Sequence, residues 1–536
     1  MRLNRVRISN HSRLVDTDVS VRKHLVLVGS NDVGKSSLLR CLDLLLGAST
    51  ASLYTRITPD DFRDKTEPFV VEVGLSDFSD ADRALFPDEI LVNSSDQTSS
   101  LTLRLVVTVD ENDTISIERT APGGLTGRQL SREQVIGIGW KFLSATSQSR
   151  DLREDRRSAI DDILQNLDLG AEKPDFESAT AVLAQKLRDS EILGDLRGSL
   201  ANQLTKALTQ RVERDDLVFV AGADADADVL SDVRLQVIKD GAQRNLSDQS
   251  DGTRALFAMA LYDLTSVGAN MVGIDEPEIH LHPTSQRSLA KLLQNSPNQK
   301  FIATHSPDIV GAFDPDCIAV VRTGGFVTQP SAGFLSQDEK LAVHWWVRNK
   351  LEPLTANRVI AVEGISDRIL LERIGDLTDR SLDRLGLCVV ETGGSGGMVA
   401  VEKLFGETGF DLPMSQLIDE DAISSTARRL GIVDTELNSR SVWINEPDLE
   451  AEYVSALGSD PVWAAIEASG LFSRNERSNC ALTGAGGIRT DEDVSSFCRK
   501  ENYKVKAALV VAPMFDLTSA TRMNAICNLL GEIDPS

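Results

Sequence analysis

Eight residues, Gly29-Ser30-Asn31-Asp32-Val33-Gly34-Lys35-Ser36, fit the pattern G-x-x-x-x-G-K-[ST]. Glycines at these positions let backbone N–H groups curl around a phosphate. A helix opening at the lysine adds partial positive charge. Lys35 is placed to reach the β- and γ-phosphates of a nucleotide and Ser36 to ligate Mg²⁺, with Gly29, Asn31, Gly34 and Ser37 completing the cradle. The bland alternative is a glycine turn between a strand and a helix. The context favours the cradle: the apolar run LVLV precedes it, and a dense apolar stripe from Leu38 to Leu46 follows.

Two further strand ends carry matching chemistry. The run MVGIDEPE delivers Asp275 to the Mg²⁺ shell and Glu276 to orient or activate an attacking water. One βα unit later FIATHSPDIV ends in His305, where a γ-phosphate sensor belongs, although a lone histidine is more often structural. Before them, SDQSDGTR presents Ser250 and Gly252 at the start of an apolar helix. At this position the loop resembles, in degenerate form, the signature loop of ABC ATPases. That resemblance implies ATP held between two heads and therefore a homodimer or higher assembly. The wide separation of Lys35 and Asp275, with a helical stretch between them, resembles the SMC/RecF-like branch of these ATPases. Asp60 and Asp61 fall about where a Q-loop would, without marking one.

A second set of acids follows. RVIAVEGISDRILLERI is an apolar strand ending in Glu363, then Asp367 at the opening of a helix. MSQLIDED is a second apolar strand ending in Asp419 and Asp421, which share a face if the strand continues through them. Carboxylates converging at strand ends can hold one or two Mg²⁺ or Mn²⁺ ions, which prefer oxygen. Two such ions roughly 3.5–4 Å apart activate water and stabilise the leaving oxygen of a phosphodiester. Taken singly, Asp367 could be a plain helix cap and the DED triplet a solvated strand end.

The order of acids in this segment resembles a TOPRIM domain. An ABC head followed by TOPRIM resembles the OLD (overcoming lysogenisation defect) nuclease family, over about residues 2–511. The resemblance implies metal ligands at Glu363, Asp367, Asp419 and Asp421, a further acid at Glu450, and a catalytic lysine at Lys504, with Lys506 as the alternative. It also implies a DNA endonuclease acting in phage defence or DNA repair, alone or beside a helicase-like partner. The glycine cluster at 393–397 is expected to be a loop at the edge of the site.

These motifs need a chain of several cores. Its 536 residues are too many for one and suggest two or three domains; 41% hydrophobic and 26% charged is ordinary for a globular protein. The expected architecture is α/β. Residues 1–335 form an ABC-type head with an antiparallel β subdomain, built from PFVVEVGLSD, SLTLRLVVTVD and TISIERT, and a helical insertion or dimerisation arm at about 147–213. Residues 336–355 form a helical connector, and 356–536 a Rossmann-like TOPRIM domain with a C-terminal helical part. Six scattered cysteines without a CxxC pair argue against zinc or a disulfide framework. No apolar stretch suits a membrane span or a secretory leader, so a cytoplasmic location is expected. The net charge of -25 weighs against DNA as a ligand unless its path is a local basic groove. It favours somewhat the competing expectation, a non-nuclease ATPase switch whose C-terminal domain binds a partner.

Overall fold

The computed structural model describes residues 1–93, 95, 97–123, 128–143, 182, 185–207, 211–220, 234–239, 241–245, 252–253, 256, 269–279, 281–334, 351–393 and 395–535. The chain divides into two compact units. One comprises Met1–Thr328 with Leu335–Leu351, and the other Gln329–Phe334 with Glu352–Ser536.

In the first unit β1 (Arg2–Ser9), β2 (Thr17–Ser20), β4 (Phe69–Ser76), β5 (Leu91–Val92), β6 (Ser99–Val109) and β7 (Ile115–Thr120) make an antiparallel sheet in the order β2-β1-β4-β6-β5, with β7 also on β6. Residues in β4 and β6 alternate between buried and half-buried, because one face packs on the core. This is the antiparallel subdomain expected from the alternating runs, and β1 and β2 join it.

The second sheet is mostly parallel. β14 (Ile318–Arg322), β3 (Leu25–Val28), β13 (Gln299–Thr304), β12 (Met271–Asp275) and β8 (Trp140–Leu143) lie in that order, with β15 (Phe326–Thr328) antiparallel on β14. β3, β12 and β13 are buried along their whole length, as strands covered on both faces must be. Helix Lys35–Leu46 touches β4 and β6 as well as β12 and β13. Hence its apolar residues extend beyond a single stripe: Leu38, Leu39, Cys41, Leu42, Leu44, Leu45 and Leu46 are all buried. Its one buried acid, Asp43, accepts from the Trp140 indole at 3.0 Å and pairs with Arg56 at 2.7 Å.

A small sheet of β9 (Leu217–Val220), β10 (Arg234–Lys239) and β11 (Ala242–Asn245) completes the described strands of this unit. Most of the segment 147–213 lies outside the described residues; helix Glu191–Ala207 is the long element described within it. Of the connector 336–355, only 351–355 is described, with a helical turn at Glu352–Thr355.

The second unit is built on four parallel strands, β16 (Arg358–Val362), β17 (Leu387–Glu391), β18 (Met414–Asp419) and β19 (Val442–Asn445), in the order β17-β16-β18-β19. β16 therefore has its sequence successor on one side and β18 on the other. This is a topological switch point, where a crevice opens outside the carboxyl ends of the strands. Glu363 and Asp419 stand at that edge. Helices from Leu449 to Ile533 bury Tyr453, Trp463, Phe497 and Leu529 against this core.

The glycine cluster at 393–397 departs from expectation: from Ser395 it is the first turn of helix Ser395–Phe405 rather than a loop. A Cβ at Gly397 would stand 1.7 Å from the Thr392 carbonyl oxygen, so glycine is needed for this sharp entry. Among the described residues no helix is long and apolar enough to cross a membrane.

Two buried histidines give the first unit a pH dependence. His11 Nδ1 accepts from the Arg13 amide at 3.0 Å, and His24 Nδ1 from the buried Lys300 amide at 3.1 Å. Burial lowers both rings from 6.5 to about 4. Unfolding releases them to protonate, so their stabilisation is complete above pH 6.5 and is lost as pH falls from 6.5 towards 4. The melting temperature should fall across this window in calorimetry. A His11→Asn/His24→Asn variant, whose amide oxygens can replace the accepting nitrogens without titrating, should show a shallower fall; an equal slope would refute the assignment.

Candidate functional site

The phosphate cradle is shaped by close approaches. A Cβ on Gly29 would lie 2.2 Å from the Val321 carbonyl oxygen. Gly34, at φ 113°, faces the Leu14 side chain, which a Cβ would meet at 2.7 Å. Both glycines let the loop turn under β14 and the β1–β2 connection before helix Lys35–Leu46 begins. Asn31 is exposed and Ser37 half-buried at that helix start. Lys35 is buried; its Nζ donates to the carbonyls of Gly29 at 2.9 Å and Ser30 at 2.7 Å. Burial lowers its pKa, against the pull of Glu276, Glu278 and Asp275.

The Ser36 hydroxyl donates to Asp275 Oδ1 at 2.9 Å, so the helix start and the end of β12 meet. Burial first, then Glu276, pushes the Asp275 carboxyl up to about 6, against the lowering effect of the Ser36 hydrogen bond. Glu276 has a left-handed backbone, φ 47°, fixed by its amide donating to the Ala303 carbonyl at 2.8 Å. His305 is half-exposed, its Nδ1 3.9 Å from Glu276 and 3.3 Å from Glu278. Glu278, absent from the sequence-derived set, is buried against these residues. The second glutamate of DEPE was its only signal. Gly252 and Thr253 are helical, whereas Ser250 lies outside the described residues. Asp61 is buried against Arg40 at 2.8 Å and accepts from the Thr58 amide at 2.9 Å, which makes it a structural group.

In the second unit Glu363 follows β16, and Asp367 lies in the first turn of helix Ile365–Leu377. Asp367 Oδ2 accepts from the Gly364 amide at 3.0 Å, so this residue also ties down the helix entry. Asp419 Oδ1 accepts from Asn445 at 3.2 Å and from the Leu449 amide at 3.3 Å. The shared-face argument for Asp419 and Asp421 needs correction. β18 ends at Asp419, and Glu420–Ala422 tightens into a 3-10 turn, so strand alternation does not apply to Asp421. The exposed Asp421 still contributes to the field at Glu363.

Glu450 is 1% exposed in helix Leu449–Leu457, 3.8 Å from Lys504 Nζ, and its Oε2 has no hydrogen-bond partner. Lys506 instead faces Glu476, at 2.9 Å. Burial raises all the inner acids. Asp367 reaches about 7, with Asp419 as the next cause, and Glu450 also about 7. Glu363 and Asp419 are raised too. Burial alone would lower Lys504, but Glu450, Asp419, Asp367 and Glu363 together raise it.

These acids and one lysine thus share a single electrostatic neighbourhood. As the side chains stand, no group of three or more His, Cys, Asp or Glu among the described residues is placed to hold a metal ion. The donor type, carboxylate oxygens of which Glu450 Oε2 is buried without a hydrogen bond, is the type that Mg²⁺ and Mn²⁺ prefer.

Fold and sites together define an ABC-type ATPase head on the same chain as a TOPRIM domain. Residues 25–311 match the family described as AAA domain, putative AbiEii toxin, Type IV TA system. Residues 354–421 match the Overcoming lysogenization defect protein-like TOPRIM domain. The chain belongs to the first of these families, which covers more than half of it, and its second unit carries the OLD-like TOPRIM domain. The OLD nuclease of Thermus scotoductus is 23% identical over 450 residues, 78% of this chain and 82% of the relative. Endonuclease GajA of Bacillus cereus is 27% identical over 173 residues, 31% of this chain and 30% of the relative. Among solved structures, the C-terminal region of the Burkholderia pseudomallei OLD protein aligns with 34% of this chain and 98% of its own, at 23% identity and a TM-score of 0.28.

Glu450 gives a test of the metal site. Its buried Oε2 makes no hydrogen bond, and the 3.8 Å approach of Lys504 offsets only part of the cost of burying it in the metal-free protein. Glu450→Gln should raise the melting temperature without metal by a few degrees, order of magnitude about 1 kcal/mol. The same variant should lose most of the further rise that Mn²⁺ gives the wild type in scanning fluorimetry. Destabilisation of the metal-free variant, or an unchanged response to Mn²⁺, would contradict the assignment.

Proposed function

We propose that this protein binds and hydrolyses ATP and is a divalent-metal-dependent DNA endonuclease, cutting one or both strands. The observation that carries this reading is the gathering of Glu363, Asp367, Asp419 and Glu450 with Lys504 at the switch point of the second sheet, on a chain whose first unit holds a phosphate cradle. The names of the curated relatives, OLD nuclease and endonuclease, support it.

At the nuclease centre Glu363, Asp367, Asp419 and Glu450 would hold one or two Mg²⁺ or Mn²⁺ ions, with Asp421 at the rim. When bound, the cations supply activation of water and neutralisation of phosphate charge. Asp419 commits Oδ1 to Asn445 and Leu449, which fixes the carboxylate and leaves Oδ2 for the site. Lys504, held in the field of four acids, offers an ammonium to the charge that builds on the phosphodiester. At the ATP centre Lys35 would hold the β- and γ-phosphates in place of its two carbonyl partners. Ser36 and Asp275 would hold the nucleotide's Mg²⁺, Glu276 would orient water and His305 would read the γ-phosphate.

Ser250 and Gly252 of a second copy would close the nucleotide site, so the working form is at least a homodimer. Phosphodiester hydrolysis needs no ATP energy, so ATP would govern assembly or access. The cellular role that the OLD resemblance implies is phage defence or DNA repair.

Supercoiled plasmid incubated with Mg²⁺ or Mn²⁺, with and without ATP, tests the reading. Nicking or linearisation should require metal and should drop at least about 100-fold in Asp419→Ala/Asp421→Ala, with ATP turnover intact. Lys35→Ala should lose ATP binding. Cleavage by the double variant at the wild-type rate would remove the metal site. ATP turnover without cleavage under any condition would favour a partner-binding switch instead.

A further inference from the structure

Glu278 is a buried carboxylate that the ATP chemistry above does not use. Its side chain is 4% exposed. Oε1 accepts from the Thr304 hydroxyl at 2.7 Å and from the His305 amide at 2.7 Å, and lies 3.3 Å from His305 Nδ1. Oε2 is buried without a hydrogen-bond partner. A lone buried carboxylate with an unused oxygen is unfavourable, and an apolar residue would fill this place at lower cost.

The backbone is bent to bring it there. Glu276 turns left-handed immediately after β12, and the turn is closed by the Ile279 amide on the Glu276 carbonyl at 3.2 Å. That turn carries Glu278 back against the end of β13 instead of out to solvent. β13 stops at Thr304, so the His305 amide is the first beyond the strand, and Glu278 takes it up. The Thr304 hydroxyl, which donates to Glu278, also accepts from the Ser306 amide at 3.0 Å. Backbone, hydroxyl and ring of the His305 segment are therefore gathered on one carboxylate oxygen. The charge of Glu278 is also felt at Lys35 and Asp275, which places it beside the phosphate cradle.

We propose that Glu278 is a positioning residue for ATP hydrolysis, holding the His305 ring by Nδ1 and its backbone by the amide so that Nε2 is presented to the γ-phosphate. The inference rests on the reading of His305 as the γ-phosphate sensor. A carboxylate that fixes an imidazole from behind leaves the far nitrogen one orientation for the reacting group. Glu276, 3.9 Å from the same nitrogen, remains free to act on water because Glu278 carries this work.

The test is a double-mutant cycle on the full chain, with ATP and Mg²⁺ as probe. It compares wild type, Glu278→Ala, Glu278→Gln, His305→Ala and both Glu278 changes combined with His305→Ala. Glu278→Ala should lower kcat by about 10- to 100-fold while KM for ATP moves less than about threefold. Glu278→Gln keeps an acceptor for Thr304 and the His305 amide but loses the carboxylate facing Nδ1, so it should recover part of the rate. In the His305→Ala background neither change should lower kcat further. If Glu278→Ala does not fold, Glu278→Gln carries the cycle alone. A further loss in the His305→Ala background equal to that in wild type would overturn the proposal and leave Glu278 a structural acid. So would an unchanged kcat in both Glu278 variants while His305→Ala is impaired. Wild-type turnover by His305→Ala would instead bring down the sensor reading, and this inference with it.

Discussion

Like-charged carboxylates held together away from water repel one another and lose hydration, and both units depend on strands stiff enough to keep them there. Asp275 stands at the end of β12, Glu363 just past β16 and Asp419 at the end of β18, each strand buried over most or all of its length. Burial raises Asp275, Glu363, Asp367, Asp419 and Glu450 alike. The free energy that keeps them in place comes from elsewhere: from the apolar helix Lys35–Leu46 in the first unit, and from the helices packed around Tyr453, Trp463 and Phe497 in the second. Stability and function are therefore opposed at the sites, as is common where charges are gathered for catalysis.

The same arrangement bears on the charge of the whole chain. ATP and DNA are polyanions, yet the protein carries a net charge of -25. Each site holds one lysine, Lys35 or Lys504, within a ring of acids. In such a site the sign of the local potential is set by bound divalent cations rather than by the side chains. An overall acidic surface is then no obstacle to phosphate chemistry at the site itself, although it gives no long-range attraction for DNA.

The two centres differ in how they are tied to the backbone. In the first unit the contact of Ser36 with Asp275 joins residues far apart in sequence, because β13 pairs with both β3 and β12 in one parallel sheet. Glu276, left-handed at φ 47°, turns the chain after β12 so that Glu278, two residues on, is buried against the end of β13. In the second unit Asp367 spends one oxygen on the nearby Gly364 amide and Asp419 one on the distant Leu449 amide, which orients each carboxylate as a cap orients a helix.

The sequence alone determined what local chemistry can write. A strand, a glycine turn and a helix beginning at Lys35 are legible from residue types and spacing, and period-two alternation in β4, β6 and β7 specifies an antiparallel face. It also named the acids at the strand ends, because an apolar run that stops at a carboxylate is visible without coordinates. What it could not write was where each strand stops and which strands become neighbours. Asp421 was assigned to the Asp419 face on the premise of a continuing strand, but the chain tightens into a 3-10 turn one residue too soon. The 393–397 glycines were read as a loop, yet tight contact with Thr392 makes them a helix entry. Glu450 and Lys504 were supplied by family resemblance, since nothing local marks a helical glutamate as buried or tells Lys504 from Lys506. Glu278 escaped notice because its inward course depends on β13 lying beside β12. Tertiary structure decided these points because burial and strand pairing are properties of distant segments brought together, and a residue's own neighbours in sequence do not carry them.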